Sequence, residues 1–524
     1  MIAPSMPIQD EVGTGQSTSG SELFIGLVAP VGTDHDLLTE ILKDSLKSLG
    51  YKTEVIRLAQ LLHVYPRYNA LPENPLDEYI ESHQNAGDDF REIIQRDELA
   101  LLGIGNILET RKRVTGDERK IIPRCAYIIR SLKTPEEVDT LRSVYGDAFV
   151  LIGSSATYEH RRRFLADAIA RSHHSFQHEQ FLPRAETLML TDQQEAGKPF
   201  GQNLLNSYHL ADIFVDASET RLLREALERA LQLLFGNTFH TPTKDEYGMF
   251  LATGAALRSA ELGRQVGAAI TTDDGSIISL GTNEVPKVGG GQYWAGDNPD
   301  FREFVMREDS NDKLKHELLV DLLSRLASDR WLSEDKTRIG AGRLAELAED
   351  PSECPFISGA QLRYLIEFMR AVHAEMSALT DAARRGVATA GATMYVTTFP
   401  CHLCAPHIVA AGIKRVVYLE PYAKSLAAQL YPDSVAVGHS DKKEPQLPFE
   451  PFVGVAPRKY IDLFKMLKRK RNGSVLDFEL ANAEQRYSTS PSSYRESETL
   501  HVGAIQAAID KAQLKFEQQE FKYD

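Results

Sequence analysis

The sequence predicts two α/β domains in tandem, and three observations predict them. A strand, a glycine turn, a helix and a second strand open the chain in that order. A capping-box signal near residue 243 starts a second succession of helices and strands. Between the two lies one helix-periodic stretch, residues 219–236, that stops at Gly236-Asn237.

The bulk properties agree with that division. A chain of 524 residues is long enough for two or three domains, each with its own core. Its 42% hydrophobic and 25% charged residues are ordinary for a soluble globular protein. No stretch approaches the roughly eighteen apolar residues of a membrane span. Residues 1–22 are polar and acidic without a basic leader, so they are expected to be a disordered N-terminus and the compartment to be the cytoplasm. The net charge of −15 argues against wrapping a polynucleotide and for small substrates. Four cysteines are too few for a disulfide scaffold, and Cys401 and Cys404 form a C-x-x-C pair. Cys125 and Cys354 read as inert thiols.

The elements follow in order. The apolar run 23–29 is a strand; Leu37, Leu38, Ile41, Leu42 and Leu46 recur at helical spacing up to Gly50, and 53–58 is the second strand. Further strands are expected at 126–129, 148–152 and 213–215, and helices at 88–113, 135–143 and 158–171. Residues 23–236 thus read as one domain with a parallel sheet. In the second domain, 237–471, a helix begins after Thr243 and runs on to Gly263. Strands follow at 266–272 and 276–281, joined by the turn Asp273-Asp274-Gly275. A helix is expected over 364–385, a strand over 392–398, a helix from Pro400 to Gly412 and a strand over 415–419. A charged insertion, about 287–361, interrupts this domain and is helical over 312–330. Residues 472–524 read as a polar linker and a C-terminal helix, 501–520.

The strongest chemical signal is His373-Ala374-Glu375 followed by Pro400-Cys401-His402-Leu403-Cys404. One histidine and two cysteines supply three zinc ligands, and a catalytic zinc keeps a fourth position for water. The three-residue spacing of Cys401 and Cys404 puts both sulfurs on one face of a helix's first turn, where unpaired N–H groups favour thiolate. Glu375 lies past the ligand and is expected to shuttle protons. This grouping is a described signature of zinc deaminases. The competing reading is a structural zinc site or a redox pair; the paired His-Ala-Glu makes it the weaker of the two.

On these residues the stretch 243–422 resembles the cytidine/deoxycytidylate deaminase superfamily, most of all its deoxycytidylate branch. Ala256-Leu257-Arg258-Ser259, Arg264-Gln265-Val266-Gly267-Ala268 and Gly281-Thr282-Asn283-Glu284-Val285-Pro286 carry the same resemblance. It implies an α/β/α sandwich with a five-stranded mixed sheet and bound Zn2+. It further implies that Asn283 contacts the sugar, that Thr397, Thr398, Phe399 and Pro400 wall the base, and that the protein is a homo-oligomer. For triphosphate recognition, Lys424, Arg258 and Arg264 are candidate cations, each weighed against a solvated surface charge.

The N-terminal half resembles P-loop nucleotide kinases in a degenerate form. Gly26, Gly32, Thr33 and Asp34 occupy the strand and turn that would hold phosphate, without the usual lysine. Arg130 stands where such kinases carry a carboxylate, so nucleotide binding without phosphoryl transfer is expected. The combination resembles the bacterial anti-phage dCTP deaminases, which implies hydrolysis of dCTP to dUTP and dCMP to dUMP. It also implies a regulatory first domain that takes a nucleotide, and restraint by a small inhibitory RNA. The basic runs Lys468-Arg469-Lys470-Arg471 and Arg161-Arg162-Arg163 are either phosphate contacts or solvated faces. The rivals are a housekeeping dCMP deaminase, a polynucleotide cytosine editor and a nucleotide- or RNA-sensing regulator.

Overall fold

The computed structural model describes residues 21–94, 97–193, 204–350, 360, 362, 365–422, 425–438, 445–480, 483–486 and 490–503. They form two compact units: residues up to Thr241 together with those from Gly454 onward, and Pro242–Val453.

In the first unit, β1 (Leu23–Val28), β2 (Lys52–Arg57), β3 (Cys125–Arg130), β4 (Phe149–Ser155) and β5 (Ile213–Asp216) pair in parallel in the order β5-β4-β1-β3-β2. β1 is buried along its whole length, as a strand covered on both faces must be. Helices His35–Ser48 and Thr220–Leu234 put Leu38, Ile41, Leu42, Leu46, Leu223 and Leu227 into one core with Ile25 and Leu27. The parallel sheet is therefore as expected, with one addition. Gly454–Val455 pairs antiparallel with β5, so 454–471 belongs to this unit and the second one ends at Val453, not at residue 471.

Several expected elements differ. Residues 88–113 belong to two helices, Leu76–Ile93 and Glu98–Thr115. Gly26 lies inside β1, where a Cβ would come within 2.7 Å of Phe149 and 2.8 Å of Leu132; it is a packing glycine and not part of a phosphate loop. The C-terminal helix begins by residue 491, and 504–524 lie outside the described residues. Residues 21 and 22 are not a loose lead-in, because both are buried.

Glu22 explains why. Arg111, fully buried, donates to Glu22 at 2.7 and 3.0 Å and to Glu498 of the C-terminal helix at 2.7 and 2.9 Å. The Tyr127 and Tyr494 hydroxyls donate to Glu22 as well. One cation thus compensates two buried carboxylates, and each is hydrogen-bonded.

The second unit carries β6 (Gly267–Thr271), β7 (Ile277–Thr282), β8 (Thr393–Thr398), β9 (Arg415–Glu420), β10 (Val435–Val437) and β11 (Leu447–Pro451). Their order is β10-β11-β9-β8-β6-β7, antiparallel where β6 meets β7 and β8 and parallel elsewhere. The sheet is mixed as expected but has six strands instead of five. Helix Lys244–Ala256 starts at the predicted capping box, with both bonds present, yet stops seven residues before Gly263. Ala268 pairs with Gly281 and so shares its face, while Gly267 faces the other way. Gly267 meets the backbone of helix Lys244–Ala256, and Gly281 meets that of helix Ala374–Arg384. The two helices therefore cover opposite faces. The insertion is helical over Ser310–Ser328, Glu334–Ile339 and Ala341–Glu349. No helix among the described residues is long and apolar enough to cross a membrane.

Replacing Arg111 with Met is expected to destabilise the first unit by about 3–5 kcal/mol, because Glu22 and Glu498 would be left buried without a counter-charge. Urea denaturation followed by circular dichroism checks this, and an unshifted midpoint would contradict it.

Candidate active site

The site forms where three separate segments meet beside the ends of β7 and β8. His373 is the N-cap of helix Ala374–Arg384, in extended conformation with ψ 152°. The helix does not begin at 364 as expected. Val372 is drawn into a two-way backbone bridge with Glu284, its N–H donating at 3.1 Å and its carbonyl accepting at 3.3 Å, so helix geometry starts only after His373. Glu375 follows in the first turn and is buried.

Cys401 and Cys404 lie after β8 in a tight turn in which the N–H groups of Cys404 and Ala405 both donate to the Cys401 carbonyl. The helix expected from Pro400 is Ala405–Ala410, so both sulfurs precede it and do not share its first turn. The His373 Nδ1 lies 3.3 Å from the Cys401 sulfur and 3.4 Å from the Cys404 sulfur. These three donor atoms all lie within 4.8 Å of one another. A tetrahedral zinc with ordinary Zn–S and Zn–N lengths separates its sulfur and nitrogen ligands by about 3.6 Å, so the set fits that ion. His402 is not in the cluster.

Electrostatics supports the same reading. Burial first, then the negative charge of Cys401, pushes the Glu375 carboxyl up to about 7. The hydrogen bond from Cys404 and the nearby His373 pull the Cys401 thiol well down. One thiolate is thus already favoured, in a buried place that needs a cation to compensate it.

The remaining expected residues divide. Thr397 is buried near the end of β8, its hydroxyl accepting from Gly267 N at 3.0 Å. Thr398 is buried beside it at the end of β8. Phe399 N donates to Glu420 O at 2.8 Å, and its ring stands edge-on to Tyr418 and Phe449. Pro400 is held by Ser425, whose hydroxyl donates to its carbonyl at 2.7 Å. Asn283 is buried and already engaged: Oδ1 accepts from Val266 N at 2.7 Å and Nδ2 donates to Arg264 O at 2.5 Å. It shapes the 264–266 segment, and among the described residues one of its N–H groups and one lone pair are left over.

Arg258 is turned away from phosphate duty. Its guanidinium lies 3.7 Å over the Trp294 ring and donates to Gln292 Oε1 and Tyr293 O. Arg264 is exposed, 3.9 Å from Glu420 and near the Tyr422 ring. Lys424 lies outside the described residues, as does Cys354; Cys125 is buried in β3.

Sequence reasoning missed the residues that position His373. Glu284 accepts from Ala260 N and Val285 N, and Gln292 donates to the Thr282 and Glu284 carbonyls. The pairing of Glu284 with Val372 spans 88 residues of sequence and leaves no local pattern to read.

In the first unit, Gly32 has φ +89° and packs on the Arg161 backbone, while Asp34 caps helix His35–Ser48 by accepting from Leu37 N. Thr33 lies between them, buried. Arg161 is buried and donates to the Ala156 and Val31 carbonyls, and Arg469 donates to Thr238. Those two members of the basic runs are structural.

Residues 242–420 match the family described as the cytidine and deoxycytidylate deaminase zinc-binding region. The deoxycytidylate deaminase of Enterobacteria phage T2 is 52% identical over 54 residues, 10% of this chain and 29% of that protein. ComE operon protein 2 of Bacillus subtilis (strain 168) is 46% identical over 65 residues, 12% of this chain and 34% of that protein. The chain thus spans about a third of the curated relatives it matches, or less. Among solved structures, the dCMP deaminase of cyanophage S-TIM5 in complex with dCMP and dUMP is similar at 17% identity and a TM-score of 0.23. That likeness covers 41% of this chain and all of that one.

A Cβ at Gly281 would stand 2.1 Å from Ala374 O and 2.4 Å from Ala378 N, both helix backbone. Gly281→Ala is therefore expected to cost about 1–3 kcal/mol or more and to reduce zinc per chain by displacing His373. Gly254→Ala, which meets nothing within 4 Å, is the control. Thermal unfolding and elemental analysis check the pair; equal zinc content in both variants would contradict the expectation.

Proposed function

We propose that the second unit is a zinc-dependent hydrolytic deaminase of free deoxycytidine nucleotides, converting dCMP to dUMP and dCTP to dUTP with release of ammonia. The observation that carries this reading is the buried Glu375 beside a cluster of His373, Cys401 and Cys404 whose spacing suits zinc. That cluster lies inside the segment matching the deaminase family. When bound, the ion supplies Lewis acidity, which lets water act as a nucleophile near neutral pH.

The chain's own residues do the rest. Glu375 takes a proton from the attacking water and gives it to ring N3 as the C4–O bond forms. It then carries the new hydroxyl's proton to N4, so that the C4–N4 bond breaks, ammonia departs and uracil remains. Thr397, Thr398, Phe399 and Pro400 wall the base, and the leftover valences of Asn283 face the sugar. Arg264, exposed and held only at 3.9 Å by Glu420, is the better phosphate candidate of the two arginines.

The wider role proposed is antiviral. Hydrolysis of dCTP would deplete a precursor of phage DNA, with the first unit regulatory and assembly into a homo-oligomer. A small RNA as restraining partner belongs to the same reading. The missing lysine in the glycine turn supports regulation over phosphoryl transfer, as does Arg130 paired with Asp36 at 2.6 Å.

Glu375→Ala is expected to lower ammonia release by about 10²- to 10⁴-fold or more while zinc stays bound, whereas Cys401→Ser is expected to lose the metal. Titration of dCMP, dCTP and a cytosine-bearing oligonucleotide tests substrate class, and preference for the oligonucleotide would overturn the proposal. In phage-infected cells expressing the chain, dCTP is expected to fall; an unchanged pool would remove the antiviral reading.

A further inference from the structure

β7 stands at the edge of the second sheet, and among the described residues no further strand pairs with its outer side. Where β7 ends, a side chain takes that place. Gln292 is buried, and its amide nitrogen donates to the Thr282 carbonyl at 2.6 Å and to the Glu284 carbonyl at 3.2 Å. With the nitrogen committed to two carbonyls, the carboxamide oxygen needs a donor of its own.

Arg258 is that donor. Its Nη1 gives to Gln292 Oε1 at 2.8 Å and its Nη2 to Tyr293 O at 3.0 Å, so one planar fork holds a side chain and the adjoining backbone. The two residues after it grip the same strand end: the Ser259 hydroxyl donates to Asn283 O at 2.7 Å, and Ala260 N to the Glu284 carboxylate at 3.0 Å. The guanidinium carbon lies 3.7 Å from the centre of the Trp294 ring, and Trp294 is itself 60% exposed. A cation on an aromatic face is held there and partly shielded from water.

From Glu284 the path to the donor cluster is short. The Glu284 carbonyl accepts from Val372 N at 3.1 Å as well as from Gln292, one donor for each lone pair. His373 follows Val372 in the chain and caps helix Ala374–Arg384. Three consecutive hydrogen bonds, at 2.8, 3.2 and 3.1 Å, therefore run from the Arg258 guanidinium to the residue before His373. Without Arg258 the Gln292 oxygen would be buried with no donor, and the carboxamide would gain by turning away from the strand end it holds.

We propose that Arg258 is a positioning residue for the deamination, acting through Gln292 and Glu284 on His373, with Trp294 as its outer cover. It does not touch the nucleotide. Residues that orient a metal ligand from behind tune how firmly the ion is held, and this clasp does so from the far side of the strand end. The competing role for Arg258 is a phosphate contact, and the two roles leave different traces in a variant. The effect on turnover rests on the deaminase reading of the second unit; the effect on metal retention follows from the geometry alone.

The test is the rate at which the zinc-loaded full chain gives up its metal to a chromogenic chelator. Arg258→Met and Gln292→Leu are each expected to release zinc about tenfold faster or more, and the double variant no faster than the quicker single one, since both cut the same path. Arg258→Lys keeps the charge and loses the fork, so it is expected to follow Arg258→Met. Trp294→Ala, at an exposed ring where folding is left intact, is expected to speed release by about two- to fivefold. Lys287→Met breaks the pair with Asp297 in the same loop but lies outside the clasp, and is expected to release zinc at the parent rate. In Arg258→Met, kcat/KM for dCMP and for dCTP is expected to fall by one common factor. The proposal is overturned if Arg258→Met releases zinc at the parent rate, if Arg258→Lys restores that rate, or if the loss of kcat/KM grows with the number of phosphates. A parent chain without turnover would sink the deaminase reading and leave zinc release to decide this one.

Discussion

The second unit depends on one close approach. At Gly281 the backbone of helix Ala374–Arg384 lies directly on β7, with no side chain between them. That contact sets the depth of His373, because His373 caps this same helix. Val372, one residue earlier, is tied to Glu284, three residues beyond Gly281. The imidazole is thus held from both sides by the strand end that also carries Asn283. Cys401 and Cys404 arrive from another strand, β8, whose neighbour β6 takes a helix against Gly267 on the opposite face. The mutual placement of the His373, Cys401 and Cys404 donor atoms therefore follows from two glycine contacts and one backbone bridge.

Much of this was legible from residue order, and what was not has physical causes. The His-Ala-Glu and Pro-Cys-x-x-Cys spacing identified the donor set because such chemistry leaves a local pattern. The capping box at Thr243 was equally local, and both of its bonds are present. The start of the His373 helix was not legible, since apolar residues such as Ile366 continue the helical period until a distant strand interrupts it. Two strands of the second sheet, Val435–Val437 and Leu447–Pro451, were not placed from sequence, and the first of them is too short to show alternation. Arg258 looked available for phosphate, and only the fold reveals that Trp294 and the Tyr293 carbonyl claim it. Gly26 resembled part of a phosphate loop because sequence cannot distinguish a glycine that turns the chain from one that makes room for Phe149.

The first unit shows how an acidic chain keeps positive charge in reserve. Several cations discussed there are paired with carboxylates, from the buried Arg111 with Glu22 and Glu498 to Arg57 and Arg130, which share Asp36. Buried pairs of the first kind resist exchange because separation strands a charge without water. Pairs at the surface lose little on separation. The same two residue types therefore serve architecture in one place and reversible contact in another, and depth of burial decides which.

The return of the chain to its first sheet has a consequence for biosynthesis. Residues 454–455 complete the edge beside β5, and Glu498 completes the ion cluster around Arg111, although Glu22 and Arg111 emerge from the ribosome hundreds of residues earlier. The intervening 212 residues, Pro242–Val453, make a unit with its own core and can fold while the earlier one is still waiting. During translation the nascent first unit must hold an uncapped sheet edge and an incompletely neutralised Arg111 until the last part of the chain arrives. Ribosome-bound intermediates of this protein would accordingly have a mature second unit before a mature N-terminal one, the reverse of their order in the gene.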